Sequence, residues 1–202
     1  MGGLEVWGRE NVPPQGPLIV ACSHASHLDP MILGAVFDRP LHFMARRSLF
    51  SIPGFAWLIR QNQAFPLNRE GDSREALRAF GGLLDRNQAV VMFPEGTRSL
   101  DGVVGEMKPG IGMLAVKNLA PVLPVYIWGN FQSWPRGRRF PRRHRLKARL
   151  GPVIVPRGGK EIRKEEQARI TNSVGLVIRN LELEAWQGEN GRPERLALPN
   201  SL

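Results

Sequence analysis

The chain has 202 residues, 42% of them apolar, enough for one domain with a substantial core. A single cysteine, Cys22, excludes an internal disulfide, and no uncharged apolar stretch approaches the ~18–20 residues that span a bilayer. The net charge of +10 is uneven: eight Lys and Arg crowd residues 136–149 with no acid among them, a local patch suited to phosphate groups on lipids, nucleic acids or other anionic partners.

The start, MGGLEVWGRENVPP, lacks the basic end and apolar run of a secretory signal, so a soluble or peripheral protein is expected. PLIVAC (17–22) reads as a buried strand, and HLDPMILGAVF (27–37) as a helix with Pro30 in its first turn. LHFMA (41–45) is a second strand. RRSLFSIPGFAWLIRQ (46–61) is helical in parts and broken near Pro53-Gly54. QAFPL (63–67) is a third strand, and residues 72–87 form a helix with Ala76, Leu77, Phe80, Leu83 and Leu84 on one face. AVVMF (89–93) is a fourth strand, followed by a helix over 110–119. In APVLPVYIW (120–128), a fifth strand, the prolines argue for a sheet edge or a strand start. Residues 129–145 are a long, basic, Pro-rich insertion. LKARLGPVIV (146–155) adds a strand, and 160–185 an amphipathic helix with Ile162, Ile170, Val174, Val177 and Leu181 inward. Strand–helix alternation predicts a single α/β domain: a central, mostly parallel mixed sheet flanked by helices.

In open parallel sheets, sites form at the carboxyl ends of the strands. Three polar clusters follow predicted strands: SHASHLD (23–29), NREGDSR (68–74) and PEGTRS (94–99). If those strands are parallel, the clusters face one crevice. His24 and Asp29 lie five apart, which turns them about 140° from each other on a regular helix. A loop entering a helix can bring them together, with Asp29 holding one imidazole nitrogen and the other left as a base. The competing reading has Asp29 capping the helix and His24 solvated. A metal site of His24, His27, Asp29 and Glu95 is a further alternative, as is a nucleophile among Ser23, Ser26 and Cys22. In PEGTRS, Gly96 permits unusual backbone or close approach of a ligand, and Arg98, like Arg69, can fork onto phosphate. Lys108, in KPG before a helix, is another anion-friendly feature.

These blocks, in this order, resemble the glycerolipid acyltransferase family, particularly bacterial 1-acylglycerol-3-phosphate acyltransferases. His-x₄-Asp is carried by His24 and Asp29, the second block by AFPLNREGDS with Arg69, the third by FPEGTRS, and the fourth by APVLPVYI with Pro121 and Pro124. The resemblance covers roughly residues 5–156 and makes 1–186 the acyltransferase domain, with 187–202 a flexible tail. It implies O-acyl transfer in phospholipid biosynthesis. The donor is acyl-CoA or acyl-carrier protein, and the acceptor a lysophospholipid, with 1-acylglycerol-3-phosphate leading. His24 is then the base and Asp29 its orienting partner, while Arg69, Glu95, Gly96, Thr97 and Arg98 bind substrate. No acyl-enzyme, metal or cofactor is implied. Backbone N–H groups at the loop–helix junction are the expected oxyanion donors.

Many members carry an apolar N-terminal anchor; here the residues before PLIVAC are polar. Peripheral contact with an anionic membrane, on its cytoplasmic face, is therefore expected. Residues 49–59 could dip into the interface or pack in the core, and 136–149 could attract anionic lipid or acidic acyl-carrier protein. A nucleic-acid-binding module is the rival from another class, since Trp134 and Phe140 sit among arginines, but no matching motif accompanies them. A metal-dependent hydrolase is the enzymatic rival.

Overall fold

The computed structural model describes residues 3–46, 64–67, 73–158 and 163–186. The apolar run at 18–22 becomes β2 (Leu18–Cys22), buried along its whole length. Its neighbours are β5 (Ala89–Met92) and β6 (Val122–Trp128), both parallel to it. Beyond β5 lie β3 (Leu41–Arg46) and β4 (Ala64–Leu67), again parallel. Beyond β6 come β7 (Leu146–Leu150), antiparallel to it, and β1 (Leu4–Trp7), parallel to β7. The seven strands run in the order β1-β7-β6-β2-β5-β3-β4.

Successive β2 side chains point to opposite faces, and both faces are covered, so every position must be apolar. Ile19 and Ala21 pack with α2 (Ser73–Leu84), α3 (Gly110–Asn118) and α5 (Arg163–Trp186), through Phe80, Leu114, Ile170, Val174 and Ile178. Leu18, Val20 and Cys22 meet Ile32, Leu33 and Val36 of α1 (Asp29–Val36). The predicted α/β class and mixed, mostly parallel sheet therefore hold. Of the segment 46–61 read as partly helical, Arg46 instead ends β3; its remainder, the site residue Arg69, Ile162 and the tail 187–202 lie outside the described residues.

Three local expectations change. The strand expected over 146–155 ends at Leu150, and Ile154 beyond it forms an isolated bridge with Val122. β1 has no counterpart in the sequence reading; its alternating burial suits a short edge strand. β6, with Pro124 inside it, is neither at an edge nor starting there, but sits between β2 and β7. Pro124 is tolerated because β7 has ended opposite it. There the Gly151 N–H donates to the Pro124 carbonyl at 2.8 Å, and no donor is required of residue 124.

Candidate active site

Because β2, β5 and β6 are parallel, their carboxyl ends lie together, and the chain leaving each one contributes to a single cluster. His24 follows β2 by two residues, and Asp29 is the first residue of α1. The turn between them brings the side chains into contact, with His24 Nδ1 2.7 Å from Asp29 Oδ2. Asp29 is fully buried, whereas the His24 side chain is 21% exposed. The same Asp29 oxygen accepts the Ala25 and Ser26 N–H groups, each at 2.9 Å. Its other oxygen accepts Asn130 Nδ2 at 2.7 Å. The carboxylate thus braces its own loop, and no side chain caps the N-terminus of α1. With Nδ1–H donated to Asp29, the tautomer leaves Nε2 with its lone pair. The imidazole is stacked on Phe93, ring centroids 3.9 Å apart and planes 17° apart, which limits its rotation.

Glu95, from the turn after β5, binds the same loop from the other side. One of its oxygens accepts His24 N–H at 2.8 Å and the other Gly105 N–H at 2.9 Å. Burial pushes its carboxyl above the ordinary range, with those two amides pulling the other way. Both oxygens are therefore engaged in holding backbone. Gly96 has φ +71°, and a Cβ there would come within 2.7 Å of Lys108 Nζ. Glycine thus provides both the left-handed turn and the space in which the lysine lies. Thr97 is exposed and half-buried Arg98 follows it. Glu95, Thr97, Arg98 and Lys108 border a groove of about 660 Å³, whose wall includes Val103 and Met107.

Arg98 Nη1 donates to His27 Nε2. Burial, then the Arg98 charge, then His24, hold the His27 imidazole below its usual value, so it accepts this bond as a neutral ring. That nitrogen is thereby occupied, and the guanidinium beside the ring repels a cation. Among the described residues no three His, Cys, Asp or Glu lie close enough to share a metal ion. Burial, with Asp29 and Glu95 nearby, pushes the Cys22 thiol well up, so it remains a protonated core residue. Ser26 Oγ donates to the Trp134 carbonyl at 2.8 Å and accepts Leu28 N–H at 3.1 Å, so it is a brace as well.

Of the backbone amides expected as oxyanion donors at the loop–helix junction, those of the histidine loop are already bonded. All five amides of residues 24–28 are engaged: His24 to Glu95, Ala25 and Ser26 to Asp29, His27 to the Trp134 carbonyl, and Leu28 to Ser26 Oγ. The sequence reading also missed Asn130. It begins the four-residue α4 (Asn130–Ser133), directly after β6. A polar residue immediately past the strand WGN was the available signal.

A second buried acid braces the groove from beneath. Glu182 of α5 is 1% exposed and accepts Val104 N–H at 3.2 Å, while its other oxygen has no hydrogen-bond partner among the described residues. Burial raises its carboxyl to about 7, opposed by the Val104 bond and reinforced by the charge of Glu95.

Residues 3–128 match the Acyltransferase protein family. A Bacillus subtilis (strain 168) protein named 1-acyl-sn-glycerol-3-phosphate acyltransferase is 26% identical over 183 residues, covering 90% of this chain and 89% of its own. A Chlamydomonas reinhardtii protein of the same name is 34% identical over 139 residues, 67% of this chain and 41% of its own, so the chain spans about two fifths of that relative. The crystal structure of the 1-acyl-sn-glycerophosphate acyltransferase from Thermotoga maritima superposes with a TM-score of 0.67 at 33% identity, covering 90% of this chain and 72% of that one.

Proposed function

The chain belongs to the acyltransferase family, and we propose that it moves a fatty acyl group from a thioester to the free hydroxyl of 1-acylglycerol-3-phosphate, giving phosphatidic acid. The observation that best supports this is the 2.7 Å contact between His24 Nδ1 and a buried Asp29 saturated with donors. A lipid hydroxyl is a poor nucleophile at neutral pH. His24 Nε2 takes its proton as the oxygen attacks the thioester carbonyl. The new C–O ester bond forms, the C–S bond breaks, and the proton passes on to the departing thiolate. Asp29 stabilises the imidazolium in between. Base catalysis of this kind contributes ~10²–10⁴-fold. Transfer is direct, in keeping with a Cys22 thiol held protonated in the core.

Arg98, Thr97 and Lys108 along the groove, together with Arg69, are assigned to the acceptor phosphate and glycerol. Gly96 opens the turn that carries Thr97 and Arg98, and Glu95 fixes that turn to the histidine loop. Fixing the phosphate converts remote binding into alignment at the hydroxyl. The donor is acyl-CoA or acyl-carrier protein. The names of these three relatives support a lysophosphatidic acceptor. We place the chain's contact with the acceptor's bilayer at the surface of the cytoplasmic face, through the basic 136–149 segment; among the described residues no helix is long and apolar enough to cross a membrane. Thiol release from acyl-CoA and acyl-carrier protein, with lysophosphatidic acid, lysophosphatidylcholine and glycerol 3-phosphate as acceptors, tests the reading. Phosphatidic acid identified by mass is expected. Thioester consumption without an acylated lipid product would reject it.

A further inference from the structure

The chain leaves β6 at Trp128 and returns in antiparallel β7, so both ends of the 129–145 connection lie at the end of the sheet that carries His24. Gly129, at φ +84°, closes its base; a Cβ there would run into the Arg145 carbonyl. Within the loop, Trp134 Nε1 donates to the Arg138 carbonyl at 2.9 Å, Arg138 Nη1 to the Gln132 carbonyl at 2.9 Å, and Arg142 N–H to the Ser133 carbonyl at 2.8 Å. This interior consumes Trp134 and Arg138 and gives the loop a fixed shape. Turned outward are Arg136, Arg139, Arg142, Arg143 and Arg145, all exposed, and Phe140, 68% exposed with the Arg139 guanidinium 5.4 Å over its ring. The loop is also bonded to the site. The Trp134 carbonyl accepts His27 N–H and Ser26 Oγ–H, and Asn130 holds Asp29.

We infer that this loop is an interfacial docking element: Phe140 and the surrounding arginines seat the protein on an anionic lipid bilayer, with the catalytic loop beside the headgroups. An aromatic ring at the tip belongs at the boundary between acyl chains and headgroups, and guanidiniums around it belong at lipid phosphates. An acidic protein would use the arginines and leave Phe140 in water. A single-stranded nucleic acid needs a run of open aromatic faces, but Trp134 is committed inward, leaving Phe140 alone with Arg139 over one of its faces. The inference rests on the reading that the acceptor is a membrane lipid.

The full chain is sedimented with vesicles of phosphatidylcholine alone and of phosphatidylcholine mixed with phosphatidylglycerol. Binding to the mixed vesicles only is expected. A basic residue near an anionic surface is worth about five-fold in partition, so Arg136→Gln, Arg139→Gln and Arg142→Gln together lower binding about a hundred-fold. Phe140→Ala lowers it about ten-fold. Both variants keep wild-type turnover with a short-chain, water-soluble acceptor. Vesicle binding indifferent to both variants overturns the inference. So does tight binding to acyl-carrier protein or single-stranded nucleic acid, unaffected by Phe140→Ala, with no vesicle binding. Normal vesicle binding without turnover of the soluble acceptor leaves the inference standing and sinks the catalytic reading instead.

Discussion

Replacing Asn130 with alanine removes the one side-chain amide that holds Asp29. Four donors surround that buried carboxylate: the imidazole, two backbone amides and Asn130 Nδ2 at 2.7 Å. Among the described residues the Asn130 bond alone reaches Oδ1, so Asn130→Ala leaves that buried oxygen without a donor from them. A hydrogen bond to a charged group is worth about 1.5–3 kcal/mol. The loss bears on catalysis because the carboxylate must stay fixed while His24 becomes positive in the transition state. If most of it appears there, kcat falls about 10–100-fold. KM for donor and acceptor should change little, since Asn130 faces the carboxylate and not the groove bordered by Arg98 and Lys108. Steady-state thiol release on the folded variant is the assay. Asn130→Ser, which keeps a short polar side chain at the position, should recover part of the lost rate. A kcat within two-fold of wild type would refute the positioning role. An unchanged kcat with a raised acceptor KM would move Asn130 from positioning to binding.

Glu182 predicts a pH-dependent stability. Its carboxyl titrates at about 7 in the folded protein against an ordinary value of 4.5, so its stabilising contribution is complete below 4.5 and is lost as pH rises through 7. Between pH 5 and 8.5 the loss is about 2–3 kcal/mol, or roughly 4–10 °C in Tm for a chain of this size. Glu182→Gln keeps an acceptor for Val104 N–H and should flatten that slope; equal slopes in calorimetry would show that Glu182 does not titrate this way. Arg98→Ala should raise acceptor KM at least ten-fold while sparing donor KM, because Arg98 lies on the groove wall. It should also let His27 protonate at higher pH, since Arg98 is one of the charges holding its imidazole down. An unchanged His27 titration by NMR would contradict that pairing.

The sheet's central strands were legible because parallel strands buried on both faces must be continuously apolar, as LIVAC and AVVM are. The rule that sites gather at strand carboxyl ends then placed SHASHLD and PEGTRS on one side before any coordinates. The sequence pattern could not choose between His24 contacting Asp29 and Asp29 capping its helix, because the choice lies in the backbone of four intervening loop residues. β1 was missed because four edge residues carry too little apolar signal. Pro124 misled because a proline forbids a donor, and only the register of β7 reveals that none is needed there. The family resemblance gave Glu95 a substrate role; what no motif could show is that its two oxygens also accept backbone amides, one ten residues further on and one in the β2 loop. Asn130 was hidden inside a segment that composition marks only as basic and Pro-rich, and Trp134 stood out there as an aromatic among arginines, not as the carbonyl that braces the histidine loop. Applying the strand-end rule to β6, as was done for the other strands, would have singled out Asn130.

The rate of acyl transfer by His24→Ala tests the central claim most directly. Purified variant and wild type, matched for folding by circular dichroism, are compared with an acyl thioester donor and lysophosphatidic acid, and phosphatidic acid is quantified by mass. The account predicts a fall of ~10²–10⁴-fold in kcat with the fold intact. Transfer at near the wild-type rate would show that His24 is not the base and that the contact with Asp29 serves structure alone.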